Sequence, residues 1–135
     1  DAICAAAIRG VDVTMIFPKR NDSWIVAAAS HSYYRQMLEH GVKIFEFRNG
    51  LLHAKTCTID RMLSLIGSTN LDLRSFDLNY ENDILLRDND VTKSICGRQQ
   101  AYVEQSDSVT IEEVNSWWYT RRIWNNVVAT VGPIL

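Results

Sequence analysis

His53-Ala54-Lys55-Thr56-Cys57-Thr58-Ile59-Asp60, followed after six residues by Gly67-Ser68-Thr69-Asn70, is the stretch on which the fold turns. It reads H-x-K-x4-D-x6-G-S-x-N. The run is rich in Thr, Ile and Leu with turn residues at its ends, a β pattern. In a strand, side chains two apart share a face. His53 and Lys55 are therefore expected side by side, as are Ser68 and Asn70. An imidazole can attack or move a proton, and an ammonium supplies a fixed positive charge. A hydroxyl and an amide add hydrogen bonds. That combination suits a phosphoryl group in transfer.

The rest of the chain is read outward from this stretch. The chain has 135 residues, 47% of them hydrophobic, enough for one domain with a real core. The formal net charge is −2, without the basic excess of a general nucleic-acid binder. Three widely spaced cysteines, Cys4, Cys57 and Cys96, form no C-x-x-C and suggest reduced thiols. Cys57 falls on the His53/Lys55 face by alternation and is expected to be a packed strand residue. No H-E-x-x-H or Cys/His cluster suggests a metal, and no cofactor is called for. His31 and His40 read as surface or packing residues. No signal peptide or transmembrane run is visible. The chain opens without Met on an apolar helical run, Ala2 to Ile8, and so reads as a piece of a longer protein.

The element expectations follow from periodicity and punctuation. A helix over 2–9 closes at Gly10, and Val11 to Phe17 is a strand. Pro18 to Asp22 turns. Asp22 or Ser23 caps a helix through Ala29, and a second helix runs from His31 to Glu39 and stops at Gly41. Val42 to Phe47 is a strand, Asn49-Gly50 a turn, and the motif strand covers 52–59. Short strands follow at Met62 to Ile66 and Tyr80 to Arg87. Asp90 caps a helix towards Gln105. Thr110, with Glu113 three residues later, caps another. A last helix carries Trp117, Trp118, Trp124, Val127, Val128 and Val131 and ends at Gly132-Pro133. Its aromatic residues are expected to pack on the sheet rather than sit in a lipid interface. The order α-β-α-α-β-β-β-β-α-α-α implies an α/β fold with a mixed sheet.

The motif resembles the signature of the phospholipase D superfamily and matches it at every signature position. Asn70-Leu71-Asp72-Leu73-Arg74-Ser75-Phe76-x-Leu78-Asn79-Tyr80-Glu81 is similar to the segment after the second H-K-D motif of bacterial cardiolipin synthases. Ala6-Ala7-x-Arg9-Gly10-Val11-Asp12-Val13, Gly41-Val42-x-Ile44-x-Glu46 and the terminal Trp124-Asn125-Asn126 and Gly132-Pro133-Ile134-Leu135 fit the same group.

The resemblance implies a phospholipase D-like α/β/α sandwich with a mixed β-sheet. Residues 1–135 would form a single phospholipase D-like domain, the second H-K-D half of a longer enzyme. It implies phosphatidyl transfer through a phosphohistidine, with phosphatidylglycerol as donor and acceptor and cardiolipin as product. Two motifs build one site in this family. The partner is therefore the first H-K-D half of the same protein or a second copy of this chain. The full protein would sit at the bacterial cytoplasmic membrane through an N-terminal region, while this piece is soluble.

By the same resemblance His53 is the catalytic imidazole, more readily the general acid/base than the nucleophile. Lys55, Ser68 and Asn70 hold the phosphate. Glu81 orients His53 through the far ring nitrogen, as carboxylates do in other His sites. Asp60 belongs to the motif but falls on the opposite face by alternation, so a buried structural role at the turn is expected of it. Two rival readings stand beside this one: a nuclease of the same superfamily acting as a single-motif homodimer, and a non-catalytic half that serves assembly.

Overall fold

The computed structural model describes residues 2–21, 24–70, 80–117 and 124. The elements are α1 (Ala2–Ile8), β1 (Thr14–Pro18), α2 (Trp24–Glu39), β2 (Lys43–Phe47), β3 (Thr56–Ile59), β4 (Leu63–Gly67), β5 (Asp83–Leu86), α3 (Asn89–Glu104), β6 (Ser106–Val109) and α4 (Ile111–Ser116). They fall into two compact units, residues 53–104 forming one and the flanking segments the other.

In the flanking unit the sheet order is β1-β2-β6, with β1 and β2 parallel and β2 and β6 antiparallel. This is the mixed sheet expected of an α/β fold. Helices α1 and α2 both close in the same way. Gly10 (φ 92) and Gly41 (φ 87) take the left-handed conformation that an L side chain resists. Behind them Val11 N–H reaches back to the Ala6 carbonyl at 3.2 Å, and Val42 N–H to that of Met37 at 3.0 Å. These are Schellman closures, and each hands the chain towards a strand. Ala28, His31, Tyr34, Met37 and Leu38 recur at helical spacing on α2. Tyr34 and Met37 join Cys4, Val42, Ile44, Val109 and Val114 in the core.

Residues 53–104 form an antiparallel β3-β4-β5 sheet with α3 against one face. That contact is polar. Thr58 Oγ1 donates to Gln99 Oε1 at 2.7 Å, and the buried Ser64 Oγ donates to Thr92 Oγ1 at 2.8 Å. The opposite face of this sheet carries Cys57, Leu65 and Leu85 in register, all exposed.

Several expectations are corrected. The two helices foreseen over 22–39 are one, because nothing between Ala29 and His31 breaks the ladder; Ser32 Oγ donates back to the Ala29 carbonyl at 2.7 Å. The motif strand begins at Thr56 rather than 52, leaving His53 to Lys55 ahead of the ladder. Helix α3 is capped by Asp88, whose Oδ1 accepts from the N–H groups of Asp90 and Val91 at 2.9 and 3.0 Å. Strand β6 was not foreseen. Cys57 is exposed, not packed. Thr110 does cap α4, accepting from Glu113 N–H at 3.2 Å. The Asp22 or Ser23 cap, the Leu71–Asn79 part of the signature and, apart from Trp117 and Trp124, the expected last helix lie outside the described residues.

Candidate active site

All the signature residues that the structure describes lie in the unit spanning residues 53–104. His53 and Lys55 sit in extended chain just before β3. Lys55 Nζ stands 2.9 Å from His53 Nε2 and donates to the His53 carbonyl at 3.0 Å. A lysine ammonium can only donate, so Nε2 here accepts and the ring proton sits on Nδ1. The contact sets Nε2 of the imidazole beside a cation. His53 is exposed and Lys55 half-buried.

The second half of the motif is tied to the first by one backbone bond. Gly67 N–H donates to the Lys55 carbonyl at 3.1 Å, one step beyond the β3–β4 ladder. The Gly67–Asn70 loop therefore starts beside Lys55. Ser68 exchanges two bonds with the residue before β5: its N–H donates to the Asn82 carbonyl at 3.1 Å, and its Oγ accepts from Asn82 N–H at 3.0 Å. No acceptor for the hydroxyl proton lies among the described residues. Asn70 is exposed at the end of the loop. Glu81 is half-buried two residues ahead of β5.

Asp60 is not buried, contrary to expectation. It is exposed in the β3–β4 turn, where Asp60 (φ 52) and Arg61 (φ 57) both take left-handed backbone and Met62 N–H donates to the Ile59 carbonyl at 3.0 Å. Positive φ at both central residues is the turn that matches strand twist, and Asp is among the non-glycine residues that tolerate it. The structure thus gives Asp60 a conformational reason to stand at this position.

Gly67 has an equally direct explanation. It pairs with Asp83 across β4 and β5, and a Cβ there would run into the Asp83 carboxylate and the Asn82 carbonyl oxygen, with Asp83 Cα 2.7 Å away. Only glycine lets β5 come this close. Asp83 itself went unremarked in the sequence reading, because a carboxylate opening a short strand carries no motif. Its link to the loop is a matter of register.

A family model described as "Cardiolipin synthase, PLD-like domain" matches residues 1–99. The chain belongs to that family. Among curated relatives, the cardiolipin synthase A of Buchnera aphidicola subsp. Acyrthosiphon pisum (strain APS) is 40% identical over 135 residues, 100% of this chain and 28% of the relative. That of Edwardsiella ictaluri is 42% identical over 127 residues, 94% of this chain and 25% of the relative. The chain thus spans about a quarter of the length of these cardiolipin synthases. Among solved structures, that of a phospholipase D family member, Nuc, from Salmonella typhimurium superposes with a TM-score of 0.70 at 22% identity, covering 81% of this chain and 71% of that one. The likeness shows the fold, and it is the phospholipase D-like α/β fold that the motif implied.

No helix among the described residues is long and apolar enough to cross a membrane.

Proposed function

We propose that this chain supplies one H-K-D half of a site that transfers a phosphatidyl group between alcohols, as in cardiolipin synthesis from phosphatidylglycerol. The observation that carries this reading is the His53–Lys55 pair, 2.9 Å apart, with the Gly67–Asn70 loop tied to Lys55, in a member of the cardiolipin synthase family.

The chemistry needs two imidazoles, and this chain brings one. In the first step one imidazole nitrogen attacks phosphorus, the P–O bond to glycerol breaks, and the opposing imidazolium gives glycerol its proton. In the second step the opposing imidazole takes a proton from the hydroxyl of another phosphatidylglycerol. That oxygen displaces the phosphohistidine, giving cardiolipin and restoring both rings. As the second motif of a pair His53 takes the acid/base role: it enters the first step protonated and gives that proton to glycerol, and the neutral ring left behind takes the proton of the incoming hydroxyl in the second step. Lys55 shifts its ammonium from Nε2 to the non-bridging oxygens, a compact charge where negative charge builds. Ser68 and Asn70 donate to the same oxygens. Glu81 holds the Nδ1 proton and so keeps the tautomer. The first H-K-D half of the longer protein, or a second copy, completes the site.

The test uses the full-length protein in phosphatidylglycerol vesicles. His53→Ala and Lys55→Ala should each abolish cardiolipin formation while leaving the melting temperature near that of the parent. Normal turnover in either variant would end this reading. DNA cleavage without cardiolipin would move it to a nuclease.

A further inference from the structure

Three consecutive backbone N–H groups of the signature loop are already engaged. Gly67 donates to the Lys55 carbonyl at 3.1 Å, Ser68 to the Asn82 carbonyl at 3.1 Å, and Thr69 to Asp83 Oδ1 at 3.4 Å. A loop that binds phosphate through its backbone keeps those donors open. This one has spent them on holding its own shape, so its grip on phosphate falls to side chains. Their aim then depends on what fixes the loop.

Asp83 is the residue placed to fix it. It opens β5 opposite Gly67, and its carboxylate takes both the N–H and the hydroxyl of Thr69. Charge-assisted bonds of this kind are stronger than neutral ones. Thr69 lies between Ser68 and Asn70, the two expected phosphate donors, so restraining it restrains both. A carboxylate beside a phosphate site works against phosphate by charge alone. Its presence there calls for a geometric role.

We infer that Asp83 is a positioning residue for phosphoryl transfer: by clamping Thr69 it presents the Ser68 hydroxyl and the Asn70 amide beside Lys55. The inference rests on the transfer reading above. In this role Asp83 acts through Thr69 and not on the substrate itself.

The experiment compares Asp83→Ala, Asp83→Asn, Thr69→Val and the Asp83→Ala/Thr69→Val pair in the full-length protein. Activity is followed on phosphatidylglycerol vesicles and on bis(p-nitrophenyl) phosphate, a diester without a lipid head group. Asp83→Ala should lower kcat about tenfold or more, because a loop displaced by a fraction of an ångström misaims its donors. Thr69→Val should lower kcat less, since its N–H still reaches Asp83. The double variant should be no slower than Asp83→Ala, since both changes remove the same contact. Asp83→Asn should recover part of the rate, because its amide oxygen still accepts. A purely structural role would lower the melting temperature and leave kcat alone.

Asp83→Ala with kcat within twofold of an active parent overturns the inference, as do single effects that multiply in the pair. Should Asp83→Ala fail to fold, Thr69→Val tests the same contact from the other side, and an unchanged kcat there is decisive against it. A parent active on the chromogenic diester but not on phosphatidylglycerol refutes the lipid reading alone, and the variants are then ranked on that diester. A parent inactive on both removes the transfer reading and the role of Asp83 with it.

Discussion

Replacing Gly67 with alanine adds one methyl group at the place where β4 and β5 meet most closely. The new Cβ would collide with the Asp83 carboxylate and the Asn82 carbonyl oxygen, with Asp83 Cα 2.7 Å away. Two of the three are backbone atoms, so no flexible side chain can swing aside to make room. The strands must part. Overpacking of this kind costs about 1–3 kcal/mol. Parting the strands also loosens the Ser68–Asn82 exchange, whose bonds measure 3.1 and 3.0 Å, each contributing about 0.5–1.5 kcal/mol. The expected loss is about 2–6 kcal/mol, which at a slope of about 2 kcal/mol/M lowers the urea midpoint by about 1–3 M. Gly97→Ala is the matched control. Gly97 lies within α3, and an added Cβ there meets nothing within 4 Å. Alanine in that helix should stabilise by about 0.5–1 kcal/mol. Urea unfolding of the full-length protein, followed by circular dichroism, compares the two. Midpoints that move together, or a Gly67→Ala midpoint equal to that of the parent, would refute the close approach of β5 and the account of the signature glycine built on it.

Other outcomes follow from individual contacts. Thr92→Val leaves the Ser64 hydroxyl, 1% exposed, without its 2.8 Å partner; it should cost about 1–3 kcal/mol by thermal denaturation, and adding Ser64→Ala should restore part of it, whereas a neutral Thr92→Val would deny the bond. Burial alone would raise the Glu46 carboxyl, but hydrogen bonds from His31 (3.1 Å) and Tyr34 and the charges of His31 and Lys19 hold it below the ordinary carboxylate value. A lowered folded pKa means stability that is present above the unfolded value of about 4.3 and lost as pH falls through the folded one. The parent's melting temperature should therefore fall more steeply below that pH than the melting temperature of Glu46→Gln, and parallel curves would contradict the coupling. Although Cys57 is exposed as a residue, partial loss of water around its sulfur pushes the thiol up, so iodoacetamide at neutral pH should label it more slowly than a free thiol of pKa about 8.5; equal rates would show an unperturbed sulfur.

The candidate site was legible in the sequence wherever it depends on neighbours along the chain. His53 and Lys55 are two residues apart, and their side chains do meet, although the strand expected to align them starts only at Thr56. The glycine closures at Gly10 and Gly41 were legible for the same reason, since a left-handed residue ends a helix locally. Strand β6 was not. Ser106-Asp107-Ser108-Val109 has little β propensity of its own and becomes a strand by pairing with β2, some sixty residues earlier. The cap of α3 was misplaced by two residues because Asp88 and Asp90 are chemically equal candidates, and only the backbone path shows whose carboxylate reaches the free N–H groups.

By itself the sequence determined which groups come together locally. An imidazole and an ammonium stand at a fixed short spacing because bond geometry limits how far they can separate, and with a glycine-led hydroxyl and amide loop they are the groups that the proposed phosphoryl transfer requires. Tertiary structure alone decided why the framing residues are what they are. Gly67 is glycine because Asp83 lies against it, Asp60 stands where the backbone turns left-handed, and Asp83 holds Thr69 from the neighbouring strand. Each depends on how the backbone turns or on which strand lies opposite, and register is set by hydrogen-bond pairing across the sheet, which no local spacing encodes.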